Sequence, residues 1–174
     1  MKLVGKKIIY LIEDGFEDLE FWVPLMRLRE EGAQVTVVGT GSANQYTGKH
    51  CLKAKPDTSA DQVTPADFDA IVVPGGWAPD KLRRYPAVLD LVRGIHQQGK
   101  IVASICHAGW VLASAGIVQG RRATGSSGIK DDMVNAGATW VDQPAFRDGN
   151  LVWGRVVEDI PDFCRELVQA LAEQ

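Results

Sequence analysis

Short apolar runs rich in β-branched residues alternate along this chain with segments of helical spacing, and that alternation restricts the fold more than any other feature. Lys7–Ile12, Gln34–Gly39, Ala70–Val73 and Ile101–Ile105 carry nearly continuous apolar residues, the pattern of strands buried on both faces of a parallel sheet. Leu19–Glu31 places Leu19, Val23 and Met26 at helical spacing and stops at Gly32. Ala87–Gln98 repeats the pattern with Val88, Leu91, Val92 and Ile95 and stops at Gly99, which marks both segments as crossover helices. Strands and helices joined by right-handed crossovers pack as an α/β fold, a three-layer α/β/α sandwich with a mostly parallel sheet, and ligands sit beyond the carboxyl ends of its strands.

The remaining segments decorate that frame. Gly41–Thr64 is polar and fits a hairpin excursion. Phe146–Trp153 is a stronger hairpin because Gly149 and Asn150 suit a two-residue turn, and Ile160–Ala172 is amphipathic and helical. No repeat, low-complexity tract or linker divides residues 1–174, so a single domain is expected. A net charge of −3 gives no electrostatic footprint for nucleic acid. The apolar run Ile8–Ile12 is too short for a signal-peptide core or a membrane span, so a cytoplasmic protein that binds no membrane is expected. The three cysteines, Cys51, Cys106 and Cys164, are odd in number and widely spaced, which suggests neither a disulfide framework nor a metal site; no cofactor is expected.

Three features follow strands and should therefore converge at one edge: Glu13–Glu20, Pro74–Asp80 and Cys106–Gly109. Cys106 directly follows Ile101–Ile105 and precedes the helical run His107–Ala115, so it sits at a strand-to-helix elbow with its side chain aimed into the cleft. The positive end of a helix favours thiolate there, and backbone N–H groups can hold an oxyanion. The competing reading is a small buried hydrophobe between strand and helix. His107 is expected to flank the thiol rather than stack on it, since adjacent residues at an elbow diverge. Glu20 is the preferred partner of Cys106: a carboxyl group forced beside a thiolate stays protonated and donates a hydrogen bond to sulfur. Glu17 has a role in the cleft or only complements a helix N-terminus, and Asp18 does the latter. Gly75 or Gly76 offers an oxyanion-holding amide, and Trp77 can wall the cleft. Cys51 and Cys164 read as structural, and no Gly-Lys-Ser/Thr follows the Gly pair, which excludes a phosphate loop.

Taken in order, Phe16-Glu17-Asp18-Leu19-Glu20, Pro74-Gly75-Gly76-Trp77-Ala78-Pro79-Asp80, Ala103-Ser104-Ile105-Cys106-His107-Ala108-Gly109 and Asp131–Ala138 make the chain resemble the ThiJ/PfpI superfamily, in its branch of intracellular proteases, general stress proteins and protein deglycases. The resemblance spans nearly the whole chain. It implies a flavodoxin-like sandwich with a cysteine nucleophile elbow at Cys106, Glu20 as its partner and His107 as adjacent base. It also implies a homodimer or higher homo-oligomer with the active site near an interface, where Asp80 of a neighbouring protomer orients His107. Two positions depart from the archaeal members of that branch: Asp80 stands where they carry Glu, and Ser126 where they carry Tyr.

Carbonyl-repair chemistry follows from the resemblance as the leading function: Cys106 acts on a small α-oxoaldehyde or on its adduct with a protein amine. A peptidase with a Cys106, His107 and Asp80 triad across protomers is the runner-up. A redox-sensing stress protein or chaperone, in which Cys106 oxidises to a sulfinate, is the alternative of another class.

Overall fold

The structure is a computed structural model that describes all 174 residues. In chain order the elements are β1 (Lys7–Leu11), α1 (Asp18–Glu30), β2 (Gln34–Gly39), β3 (Tyr46–Thr47), β4 (Lys53–Ala54), β5 (Thr58–Ser59), β6 (Ala70–Val73), α2 (Ala78–Leu82), α3 (Pro86–Gln97), β7 (Ile101–Ile105), α4 (Gly109–Ser114), β8 (Arg122–Ala123), α5 (Lys130–Asn135), β9 (Thr139–Trp140), β10 (Ala145–Asp148), β11 (Leu151–Gly154) and α6 (Ile160–Ala172). Seven strands form the main sheet in the order β10-β11-β7-β6-β1-β2-β5. Every neighbouring pair is parallel except the β10–β11 hairpin. This is the α/β sandwich expected from the alternation.

The four central apolar runs form strands at their expected positions, and β6 and β7 are buried at every residue, as a sheet covered on both faces requires. The hairpin pairs Asp148 with Leu151 across Gly149-Asn150. The Gly41–Thr64 excursion is only partly a hairpin: β3 and β4 pair antiparallel, after which β5 returns to the sheet edge beside β2. The Pro-Gly-Gly segment runs straight into the short helix α2 rather than an extended loop.

One expectation is reversed. Leu19, Val23 and Met26, read as the inward face of α1, are 48%, 42% and 59% exposed, while Phe21, Leu25 and Leu28 are buried. Two apolar stripes share this helix, and the larger anchor decides its rotation: Phe21 packs edge-on to Tyr10 at 5.2 Å and against Phe16 at 4.8 Å. That rotation also carries Glu20 inside, to 0% exposure. Pro24 lies within α1 and has no N–H to give the carbonyl of Glu20 four residues back. Tyr10 supplies the missing donor, its hydroxyl bonding the Glu20 carbonyl at 2.6 Å, so the backbone that carries Glu20 is tied to the central strand β1.

Candidate active site

Three chain segments meet at the carboxyl ends of β1, β6 and β7. Residue 106 adopts φ +62, one of only two non-glycine residues with positive φ; the other is Cys51 at φ +73. A side chain in this region costs roughly 1–2 kcal/mol, so a backbone conformation that favours glycine is held here by a cysteine. A single 3₁₀ turn over Cys106–Ala108 follows, then α4. The left-handed bend changes the expected relation of the two neighbours: His107 Nδ1 comes within 3.2 Å of Cys106 Sγ, so the imidazole bonds the sulfur rather than merely flanking it.

Glu20 enters from α1. Its Oε2 accepts the Gly75 N–H at 2.8 Å, while the buried Oε1 has no hydrogen-bond partner, and the carboxyl as a whole interacts with the side chain of Cys106. Burial, and after it the charge of Glu17, pushes the Glu20 carboxyl from 4.5 to about 7. Burial and the Glu20 charge push the Cys106 thiol up to about 12, against the pull of the Gly76 and His107 backbone N–H groups. Desolvation thus opposes the thiolate that a helix end would favour, and the turn that follows Cys106 is short. Two ionisable groups this strongly coupled titrate as a pair rather than singly. With the proton on Glu20, the carboxylate charge that disfavours thiolate is gone and the carboxyl can donate to sulfur. His107 is pushed down, by burial and then by Lys49, which favours its neutral form.

The two glycines divide the work that the sequence left open between them. Gly75 spends its N–H on Glu20, and a Cβ there would lie 2.3 Å from Glu20 Oε2 and 2.6 Å from Cys106 Cβ. Gly76, at φ +78, turns its N–H to the Cys106 sulfur, as His107 does with its own backbone N–H. Glu17 is the N-cap of α1: its Oε2 accepts the Glu20 N–H at 2.9 Å, and its Oε1 lies 3.5 Å from His50 Nε2. Asp18 does more than complement the helix, since its carboxylate accepts the His50 and Leu52 N–H groups at 2.7 and 2.9 Å and so pins the β3–β4 loop over the site.

A cleft of about 340 Å³ contains Glu17, Glu20, Gly76, Trp77, Cys106, His107 and Ser126, the size of a small-molecule site. Trp77, 62% exposed, walls it. Sequence reasoning missed Lys49 and His50, which also line it; Lys49 Nζ stands 5.6 Å from the centre of the Trp77 ring. Asp80 lies on α2, half-exposed, and pairs with Arg84 at 2.5 Å; within its own chain it makes no hydrogen bond or ion pair with His107. A larger cavity of about 420 Å³ between α1 and α6 holds Cys164, but burial pushes that thiol to about 11 and no base adjoins it. No helix is long and apolar enough to cross a membrane.

Known proteins resemble this chain over nearly its whole length. Residues 6–170 match the DJ-1/PfpI family. Deglycase PfpI of Pyrococcus furiosus is 41% identical over 165 residues, 95% of this chain and 99% of that protein. Protein/nucleic acid deglycase 2 of Escherichia coli is 38% identical over 170 residues, 97% and 99% of the two chains. The crystal structure of Drosophila melanogaster DJ-1beta superposes with a TM-score of 0.89 at 31% identity, covering 97% of this chain and 91% of that one.

Proposed function

The chain belongs to the DJ-1/PfpI family, and from that premise we propose that it is a cysteine-dependent hydrolase of deglycase type, a stress-response enzyme acting on α-oxoaldehydes or on their adducts with protein amines. The observation that carries this reading is Cys106 held at φ +62 between the His107 imidazole and the Glu20 carboxyl, over a small cleft. The thiolate adds to the aldehyde carbon while the proton passes between Glu20, sulfur and His107, and the Gly76 and His107 amides hold the oxyanion. Transfer of the aldehyde hydrogen to the neighbouring carbonyl carbon leaves a thioester, and water releases a 2-hydroxy acid and restores the thiol. The oxidation at one carbon balances the reduction at the next, so no external oxidant is used. The relatives named deglycases support the substrate class.

The test is methylglyoxal consumption and release of amine from a glycated substrate. Cys106→Ala should lose at least about a thousandfold in both; equal rates for the two proteins would remove the reading.

We further propose that residues 1–174 act as one domain, supported by a single connected core, and that the protein is a homo-oligomer. The apolar stripe of Leu19, Val23 and Met26 exposed on α1 supports the latter, with Asp80 of a neighbouring protomer as the acid for His107, which has none in its own chain. Val23→Glu should shift the sedimentation coefficient to that of a smaller species. An unchanged value would exclude α1 as the contact.

A further inference from the structure

A second cavity, of about 320 Å³, adjoins the one that holds Cys106. The two meet along one wall: Val156 lines both, and Ser126, which lines the first, sits between Gly125 and Ser127, which line the second. The Ser126 N–H donates to the Cys106 carbonyl at 3.2 Å, so the wall is fixed directly to the nucleophile's own backbone.

The second cavity carries its own recognition chemistry. Trp140, half-buried, supplies an aromatic surface. Arg155 is already engaged, its guanidinium bonding Asp142 Oδ1 and Asp159 Oδ2, each at 2.8 Å. Lys130 also lines the cavity and is exposed; its ammonium makes no hydrogen bond or ion pair with the rest of the chain. The first cavity has the opposite character, with Glu17, Glu20 and Glu158 set against a single cation, Lys49.

We infer that the second cavity binds the amine half of an adduct: an amino acid or chain terminus whose carboxylate is taken by Lys130 while its aliphatic stem lies on Trp140. This rests on the reading of Cys106 as nucleophile toward carbonyl adducts. In that reaction the sulfur attacks the carbinol carbon, the C–S bond forms as the C–N bond breaks, and the thiol proton leaves on the amine. The carbonyl half stays in the first cavity on Cys106. The amine half must then be held close by, away from three carboxyl groups, and the adjoining cavity offers the free cation that an anionic amine component needs.

The experiment compares three substrates, free methylglyoxal and its adducts with Nα-acetyl-lysine and with Nα-acetyl-lysinamide, which differ only in the free carboxylate. The wild type should release amine from the acetyl-lysine adduct with kcat/KM about tenfold above that for the lysinamide adduct. Lys130→Gln should erase that preference through KM and leave methylglyoxal turnover unchanged. Absence of the preference in the wild type, or its survival in Lys130→Gln, overturns the assignment of the cavity and leaves the functional reading standing. Undiminished turnover of all three by Cys106→Ala overturns the functional reading and the cavity's role with it.

Discussion

Glu20→Gln should make the protein more stable and nearly inactive. In the folded chain the Glu20 carboxyl is raised from 4.5 to about 7, chiefly by burial. A folded pKa above the unfolded one means that the protonated form is the favoured one. The stability that this group contributes is full below pH 4.5 and is lost as pH rises through 7, amounting to about 3 kcal/mol on the alkaline side. Glutamine is neutral throughout; its oxygen can still accept the Gly75 N–H and its amide can face the sulfur. The melting temperatures of variant and wild type should therefore coincide near pH 4.5 and separate as pH climbs to 7 and beyond, the variant higher by several degrees at about 2–4 °C per kcal/mol. Turnover should fall by about 100-fold to 10,000-fold, as expected for loss of a proton-transferring group. Alkylation of Cys106 by iodoacetamide should rise with pH to a break near 7 in the wild type, where the shared proton is first lost, and Glu20→Gln should lack that break. Equal melting temperatures at pH 8 would show that Glu20 is not held against its ordinary ionisation.

Gly75→Ala is the second large effect. A methyl group at residue 75 would stand 2.3 Å from Glu20 Oε2, 2.6 Å from Cys106 Cβ and 3.1 Å from the Ile105 carbonyl. None of these is the far end of a flexible chain free to swing aside: Glu20 is fully buried and Ile105 is sheet backbone. Forcing the atoms apart should cost about 1–3 kcal/mol in stability. The functional loss should be larger in proportion, because a shift of an ångström between reacting groups is worth about 100-fold in rate. The measurement is kcat beside the melting temperature, and a variant that keeps the wild-type kcat would mean that sulfur and carboxyl do not work at contact distance. Alanine adds no polarity and no charge, so any effect reports on spacing alone.

The parts of this arrangement that were legible in the amino-acid sequence are those set by local pattern. Apolar runs marked the sheet because a strand covered on both faces must be apolar throughout. Cys106 and Glu20 could be singled out because each falls just after such a run, where the fold brings strand ends together. The rotation of α1 was not legible, since Leu19, Val23 and Met26 offer a stripe that competes with Phe21, Leu25 and Leu28. The contest is settled by Tyr10 and Phe16 on other segments. Lys49 and His50 were missed for a related reason: their loop reaches the cleft through backbone hydrogen bonds to Asp18, more than 30 residues away in sequence. Gly75 and Gly76 are indistinguishable as letters. They part company only because one amide is captured by Glu20 and the other is left facing sulfur.

The left-handed backbone at residue 106 has a consequence for anyone who would redesign this protein. On this scaffold, a search for the most stable sequence would place glycine there, since glycine meets φ +62 with the least strain. Such a protein should keep its shape and lose its chemistry. Stability-guided optimisation and preservation of the active site thus point to different residues at one and the same position, and the bend itself marks the spot.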